Sequence, residues 1–258
     1  EIASCLVGSE MCIRDRGKDA DGNVSKLSKR HGATGFYDLI DEGYLPEAII
    51  NYIALLGWCP KDNQEIFTLK ELEKAFDISG ISKSPAVFDY DKLSWFNGEY
   101  IKAMTPEKFT EVAMPYYKKV FGDKQMPYEK FAAILQKRTT QLTQIPEMLD
   151  FFAELPSYTK ELFVNKKSKT NLENSPVVLK EAYDRLKAMP EWNETSIHDC
   201  LINMAVEKEL KNGTVMWPVR IAAAGKTVTP GGAVEILDIL GRDESLARLE
   251  KGMAILAE

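Results

Sequence analysis

Residues 25–32, SKLSKRHG, set three cations, Lys26, Lys29 and Arg30, around one small hydroxyl residue, Ser28. Each lysine ammonium is a compact charge with three donors, suited to phosphate oxygens. Ser28 can bond local backbone, and the flanking Gly22 and Gly32 permit tight turns. Such a loop can close over a triphosphate and stabilise the negative charge that develops on a departing pyrophosphate. Taken alone, the K-x-S-K tetrapeptide equally describes a solvated basic loop.

The elements that must position this loop belong to an acidic chain. With 258 residues, 45% of them hydrophobic, it can bury a substantial core and is expected to divide into more than one domain. A formal net charge of -6 excludes a global positive field, so any polyanion contact must come from local patches. The stretches 102–138 and 160–187 have an excess of Lys and Arg over Asp and Glu, whereas 60–100 has the reverse. Cys5, Cys12, Cys59 and Cys200 show no paired spacing, and only His31 and His198 could join them, so no structural zinc site is expected. Scattered cysteines fit a reducing compartment. No apolar run approaches the roughly 20 residues of a membrane helix, and the first residues lack the order of regions in a secretory signal. The expectation is a cytoplasmic, soluble protein without membrane contact.

Nearly every patterned segment reads as helix. In 45–58 Pro46 occupies a first-turn position and Gly57 a stop. In 67–76 Thr68 and Glu71 have capping-box spacing. The segment 104–122 has Thr105 as cap, Pro106 in the first turn and Gly122 at the end, with Pro115 predicting a break or kink. Further helices are expected near 127–137, 143–154, 174–188 and 195–210. At the end of the chain Thr229 and Pro230 are expected to open one helix and Gly241 to close it. Asp243 would cap another, giving a helical hairpin joined by about three residues. Leu246, Leu249, Met253 and Leu256 share one face of that last helix. The only strand candidate is EIFTL, 65–69.

KLSKRHGA, followed by FYDLIDEGYLPEAIINYIALLGW, resembles the nucleotide-binding signature loop and its sequel in class I aminoacyl-tRNA synthetases, in the glutamyl-tRNA synthetase form. The likeness continues through 81–104, 135–152 and 216–256 and spans residues 17–258 in order. It implies that Lys29 contacts ATP phosphates during glutamyl-adenylate formation, with Lys26 and Ser28 shaping and charging the same loop. ATP, with Mg2+, would be a substrate, and no metal site is implied within this chain. The implied architecture is mainly α, a stem-contact helical region followed by two α-helical anticodon-binding subdomains, with the catalytic nucleotide-binding fold largely absent. The implied boundaries are 1–16 as a non-native or disordered leader, 17–34 as the end of the catalytic domain, and 35–104 as the stem-contact region. Residues 105–172 and 173–258 would be the anticodon-binding subdomains.

The same likeness implies that Arg138 reads the third anticodon base and favours tRNA for glutamate over tRNA for glutamine. A guanidinium suits that task, offering paired donors to base edges and stacking on unstacked bases. Arg220, Thr229 and Pro230 match further anticodon contacts. Gly232 departs from the larger apolar residue expected there, which would remove a packing contact to a base. The alternative for Arg138 is a helix-surface salt bridge. Trp95, Tyr100 and Trp217 are expected in the core.

The H-I-G-H-like motif of class I enzymes has no counterpart here, so the resemblance implies a C-terminal part of the enzyme, inactive alone. Glutamate and ATP would engage through the missing half, tRNA for glutamate would be the partner, and the protein would be monomeric. A stand-alone helical RNA-binding or adaptor module is the competing class, but it has no need of an ATP-closing loop. Glutaminyl-tRNA synthetase shares a similar loop, but its usual β-barrel anticodon region conflicts with the helical periodicity here.

Overall fold

The computed structural model describes residues 16–18, 24–26, 35–82 and 87–257. The chain forms two compact units. One runs through Thr105 and takes back Thr139–Gln144, and the other comprises Pro106–Arg138 and Ile145–Glu258.

In the first unit the described helices are α1 (Phe36–Asp41), α2 (Pro46–Gly57), α3 (Leu69–Ala75) and α4 (Tyr90–Ala103). Three short strands, β1 (Arg16–Lys18), β2 (Val24–Lys26) and β3 (Val87–Phe88), form a sheet in the order β2-β1-β3. β1 pairs antiparallel with β2, Arg16 opposite Lys26, and parallel with β3, Arg16 opposite Val87. Arg16, which the sequence reading assigned to the leader, is therefore a strand residue. These strands are too short for alternation to announce them. The packing of α2 against α4 buries Leu39, Ile49, Tyr52, Leu93 and Phe96 in one cluster.

The strand expected at 65–69 does not form. Residues 65–68 are irregular and α3 begins at Leu69. The reason is the cap: Thr68 N donates to Glu71 Oε2 at 2.7 Å while Glu71 N donates to Thr68 Oγ1 at 3.3 Å. The extended residues before it are held by side chains instead of a ladder. Phe67 N donates to Asn51 Oδ1 at 2.9 Å, and Asn51 Nδ2 donates to Glu65 O at 3.0 Å.

Asn97, fully buried in α4, joins distant pieces of this unit. Its Oδ1 accepts from Leu45 N at 2.8 Å, and its Nδ2 donates to Gly43 O at 3.3 Å and Thr140 O at 2.7 Å. Gly43, at φ 91, adopts the left-handed turn that lets its carbonyl also accept from Leu142 N at 3.0 Å. Trp95 departs from the expected core position: it is 41% exposed, with the Lys92 ammonium 4.5 Å from its ring centroid. Tyr100 is half-buried, and its hydroxyl donates to Phe67 O and lies 2.7 Å from Asn51 Oδ1.

The second unit is helical among its described residues apart from turns and one bridge. Its helices are α5 (Pro106–Phe121), α6 (Tyr128–Leu135), α7 (Ile145–Ala153), α8 (Asn174–Ala188), α9 (Glu194–Glu207), α10 (Asn212–Ala224), α11 (Ala233–Leu240) and α12 (Arg242–Ala257). Pro115 does not break α5. Pro115 and Glu111, whose carbonyl loses its donor, are both exposed, so water can serve that oxygen. On the opposite face Phe109, Ala113, Tyr117 and Phe121 are buried.

The end of the chain differs from its expected form in three respects. Thr229 and Pro230 do not open a helix, because α11 starts at Ala233 with Gly232 as its cap. Asp243 lies inside the first turn of α12, and one residue, Gly241 at φ 77, makes the joint. The buried face of α12 is Ser245, Arg248, Leu249 and Gly252, leaving Leu246, Met253 and Leu256 half-buried. Arg248 explains this rotation. Its guanidinium, in a side chain 4% exposed, donates through Nη1 to Phe151 O at 2.7 Å and Ala223 O at 2.8 Å. Its Nε donates to Glu244 Oε1 at 2.6 Å.

Candidate nucleic-acid interface

All four anticodon-contact candidates lie in the second unit. Arg138 ends the turn after α6, its backbone N bonded to Leu135 O at 2.8 Å and its side chain exposed. Arg220 sits in the last turns of α10, half-buried. Its Nη2 donates to Thr227 O at 3.0 Å, and its guanidinium stacks 4.6 Å from the Trp217 ring centroid. Its Nε is buried and has no hydrogen-bond partner. Burial pulls the Arg220 guanidinium below its usual pKa, and the neighbouring charge of Arg138 acts in the same direction.

Neither guanidinium has an ion pair among the described residues. The salt bridge considered for Arg138 is therefore not formed among the described residues. Two like charges left near each other without a counter-ion make a site that an anionic or acceptor-rich ligand would stabilise.

The turn from 225 to 232 connects α10 to α11. Gly225, at φ 64, ends α10 in the left-handed conformation, its N bonded to Ile221 O at 2.8 Å. Lys226 ties the turn down, donating to both carboxylate oxygens of Asp150 at 2.6 and 2.7 Å. Thr229 is buried and spends its hydroxyl on Gly231 O at 2.7 Å, so it shapes the turn from within. Pro230 and Gly231 instead line an open cleft of about 320 Å³ with Lys130, Ile134, Lys137 and Arg138 on one side. Glu235 and Asp238 of α11 and Glu194 of α9 complete it. Arg138 and Pro230 thus share a cleft, whereas Arg220 and Thr229 do not line it and bond within the 225–232 turn, to Thr227 O and Gly231 O.

Sequence reasoning missed Glu235, which lines both this cleft and a neighbouring recess of about 430 Å³ with His198 and Met216. The signal was available as the i, i+3 carboxylates Glu235 and Asp238 on an otherwise apolar helix. Trp217 is not simply core: it is half-buried, carries Arg220 on its ring and donates through Nε1 to Leu162 O at 3.0 Å.

The phosphate-loop candidates are placed less fully. The backbone of Lys26 closes β2, whereas Ser28 and Lys29 lie outside the described residues. Among the described residues no group of three or more His, Cys, Asp or Glu could hold a metal ion, and no helix is long and apolar enough to cross a membrane.

A helical unit with a cleft of mixed charge beside the turn between two helices defines a class that comparison with known proteins identifies. Residues 108–253 match the anticodon binding domain family, and the chain belongs to it. Residues 20–95 match the catalytic domain of class I tRNA synthetases (E and Q). Among individual proteins, the chain is 51% identical over 228 residues to the glutamate–tRNA ligase of Clostridium kluyveri, covering 88% of this chain and 47% of that protein. It is 49% identical over 229 residues to the glutamate–tRNA ligase of Clostridium tetani, covering 89% and 47%. A crystal structure of a glutamate tRNA ligase from Elizabethkingia meningosepticum, in complex with its amino acid, superposes with a TM-score of 0.71 at 28% identity. That match covers 94% of this chain and 46% of the other. The chain spans about half the length of the curated relatives it matches.

Proposed function

We propose that this chain is the tRNA-recognising part of a glutamate–tRNA ligase. The complete enzyme activates glutamate with ATP and joins it to tRNA in the cytoplasm, and this part inspects the anticodon. One observation carries the reading: Arg138 and Arg220 stand near each other with no ion-pair partner among the described residues, and Arg138 lines an open cleft of about 320 Å³. Unstacked loop bases bring carbonyl and ring-nitrogen acceptors within reach of such donors, and their phosphates supply the missing negative charge. Trp217 holds the Arg220 plane from behind, which limits the entropy lost when the arginine engages.

Lys29, with Ser28 and Lys26, is assigned to ATP phosphates by its place in the loop motif. The chemistry of a flexible ammonium near a leaving pyrophosphate supports that assignment. Adenylate formation needs groups on both sides of the nucleotide, so the chain alone is assigned binding without catalysis.

The test is binding of the chain to stem-loops with the anticodons of tRNA for glutamate and for glutamine. The expected result is salt-sensitive binding with a preference at the third anticodon base. Arg138→Gln should reduce that preference by about 1–3 kcal/mol, the usual worth of one paired base contact. Retention of the full preference in Arg138→Gln removes that residue from base reading.

A further inference from the structure

The cleft after α6 carries charges of both signs, only some of which are spent on each other. Lys130 is neutralised by Asp238 at 2.7 Å, and that carboxylate is 8% exposed. Lys137 and Arg138, by contrast, make no side-chain hydrogen bond or ion pair among the described residues, and neither do Glu235 and Glu194, which line the same cleft. A cleft lined by both free donors and free acceptors complements a planar ligand whose edge carries both. A nucleobase is such a ligand.

The position of Glu235 depends on its neighbour. A Cβ built on Gly232 would stand 2.8 Å from Glu235 Oε2. The Gly232 backbone is extended, at φ -81 and ψ -174, a conformation open to any residue. Glycine is therefore not demanded by the chain path here. Its missing side chain instead leaves room for a carboxylate to fold back over the start of α11.

We propose that Glu235 is a specificity-determining residue: it accepts a hydrogen bond from the exocyclic amino group of a loop nucleobase held in this cleft and so selects cytosine over uracil. This inference rests on the anticodon-binding reading above. Cytosine presents an N4 amino donor where uracil presents the O4 acceptor. A carboxylate bonds the first and repels the second, while Arg138 can serve the O2 acceptor that the two pyrimidines share.

The test uses the full chain and fluorescent anticodon stem-loops that carry cytosine or uracil at each anticodon position in turn. The wild-type chain should prefer cytosine by about tenfold at one position, the ratio expected for one good base contact. Glu235→Gln is nearly isosteric and can donate its amide to uracil O4, so it should bring that ratio to within about twofold. Gly232→Ala should do the same by displacing the carboxylate, and the double variant should add nothing further. Thermal unfolding of each variant reports its fold, and a merely structural role would leave the ratio of two ligands unchanged. Stem-loops that bind with the same pyrimidine preference in wild type and Glu235→Gln overturn this inference and leave the anticodon reading standing. Stem-loops that fail to bind the wild-type chain overturn both.

Discussion

Replacing Arg248 with methionine should destabilise the second unit severely, although the residue touches no part of the cleft. Its side chain is 4% exposed, and one nitrogen serves two carbonyls, Phe151 O in the last turn of α7 and Ala223 O at the end of α10. Each is a helix C-terminal oxygen without an intrahelical donor, so one guanidinium caps two helices. Methionine fills similar volume but leaves both oxygens buried and unserved, at about 1–3 kcal/mol each. The expected loss is therefore about 2–6 kcal/mol, a large fraction of the roughly 5–15 kcal/mol typical of a folded domain. The ion pair with Glu244 should matter little, because that carboxylate side chain is 53% exposed and such pairs contribute about 0–1 kcal/mol. Glu244→Gln is thus the control, and Arg248→Lys should recover only part of the loss, since a single ammonium lacks the planar fork. The assay is urea unfolding followed by tryptophan fluorescence, with Trp192 and Trp217 reporting on this unit. A loss under about 1 kcal/mol in Arg248→Met, or an equal loss in Glu244→Gln, would show that the carbonyl contacts are not what the arginine supplies.

Two further outcomes follow from buried phenols. Tyr117 is fully buried and its hydroxyl has no hydrogen-bond partner, so Tyr117→Phe should leave stability unchanged or raise it by about 1 kcal/mol, read as an unchanged or higher melting temperature. Burial pushes Tyr52, Tyr100 and Tyr158 up to about 12 from the ordinary value of 10.0. These groups are raised on folding, so the unfolded chain loses its phenolic protons first. Stability should be fully present below pH 10 and fall as pH rises toward 12. Tyrosinate absorbance rising in one step with loss of helical signal is expected, and smooth titration of every tyrosine near 10 in a folded chain contradicts it.

The helices were legible wherever local chemistry decided them. Thr68 and Glu71, Pro46, Pro106 and Gly241 set their ends through caps and stops within a few residues, and the structure uses each of them. What was hidden depended on contacts far along the chain. The buried face of α12 turns toward Arg248 because Phe151 and Ala223 need donors, which the heptad-like leucines do not reveal. Thr229 reads as a cap, but a nearby carbonyl, Gly231 O, takes its hydroxyl before the helix begins. In the cleft, Arg138 and Pro230 could be named from motif position, as could Arg220 outside it. Glu235 stands out in the sequence by its spacing to Asp238, but where its carboxylate sits does not, because that depends on the space left by a glycine three residues away.

Thr139–Gln144 belongs to the first unit although its flanks on both sides belong to the second. Asn97 and Gly43 hold it there through Thr140 O and Leu142 N. A single cut near residue 105 would consequently strip the leading half of a strip of its own wall, leaving the Asn97 amide without one of its acceptors. On the ribosome, that half stays unfinished until the residues from Pro106 to Arg138 of the next one have been synthesised.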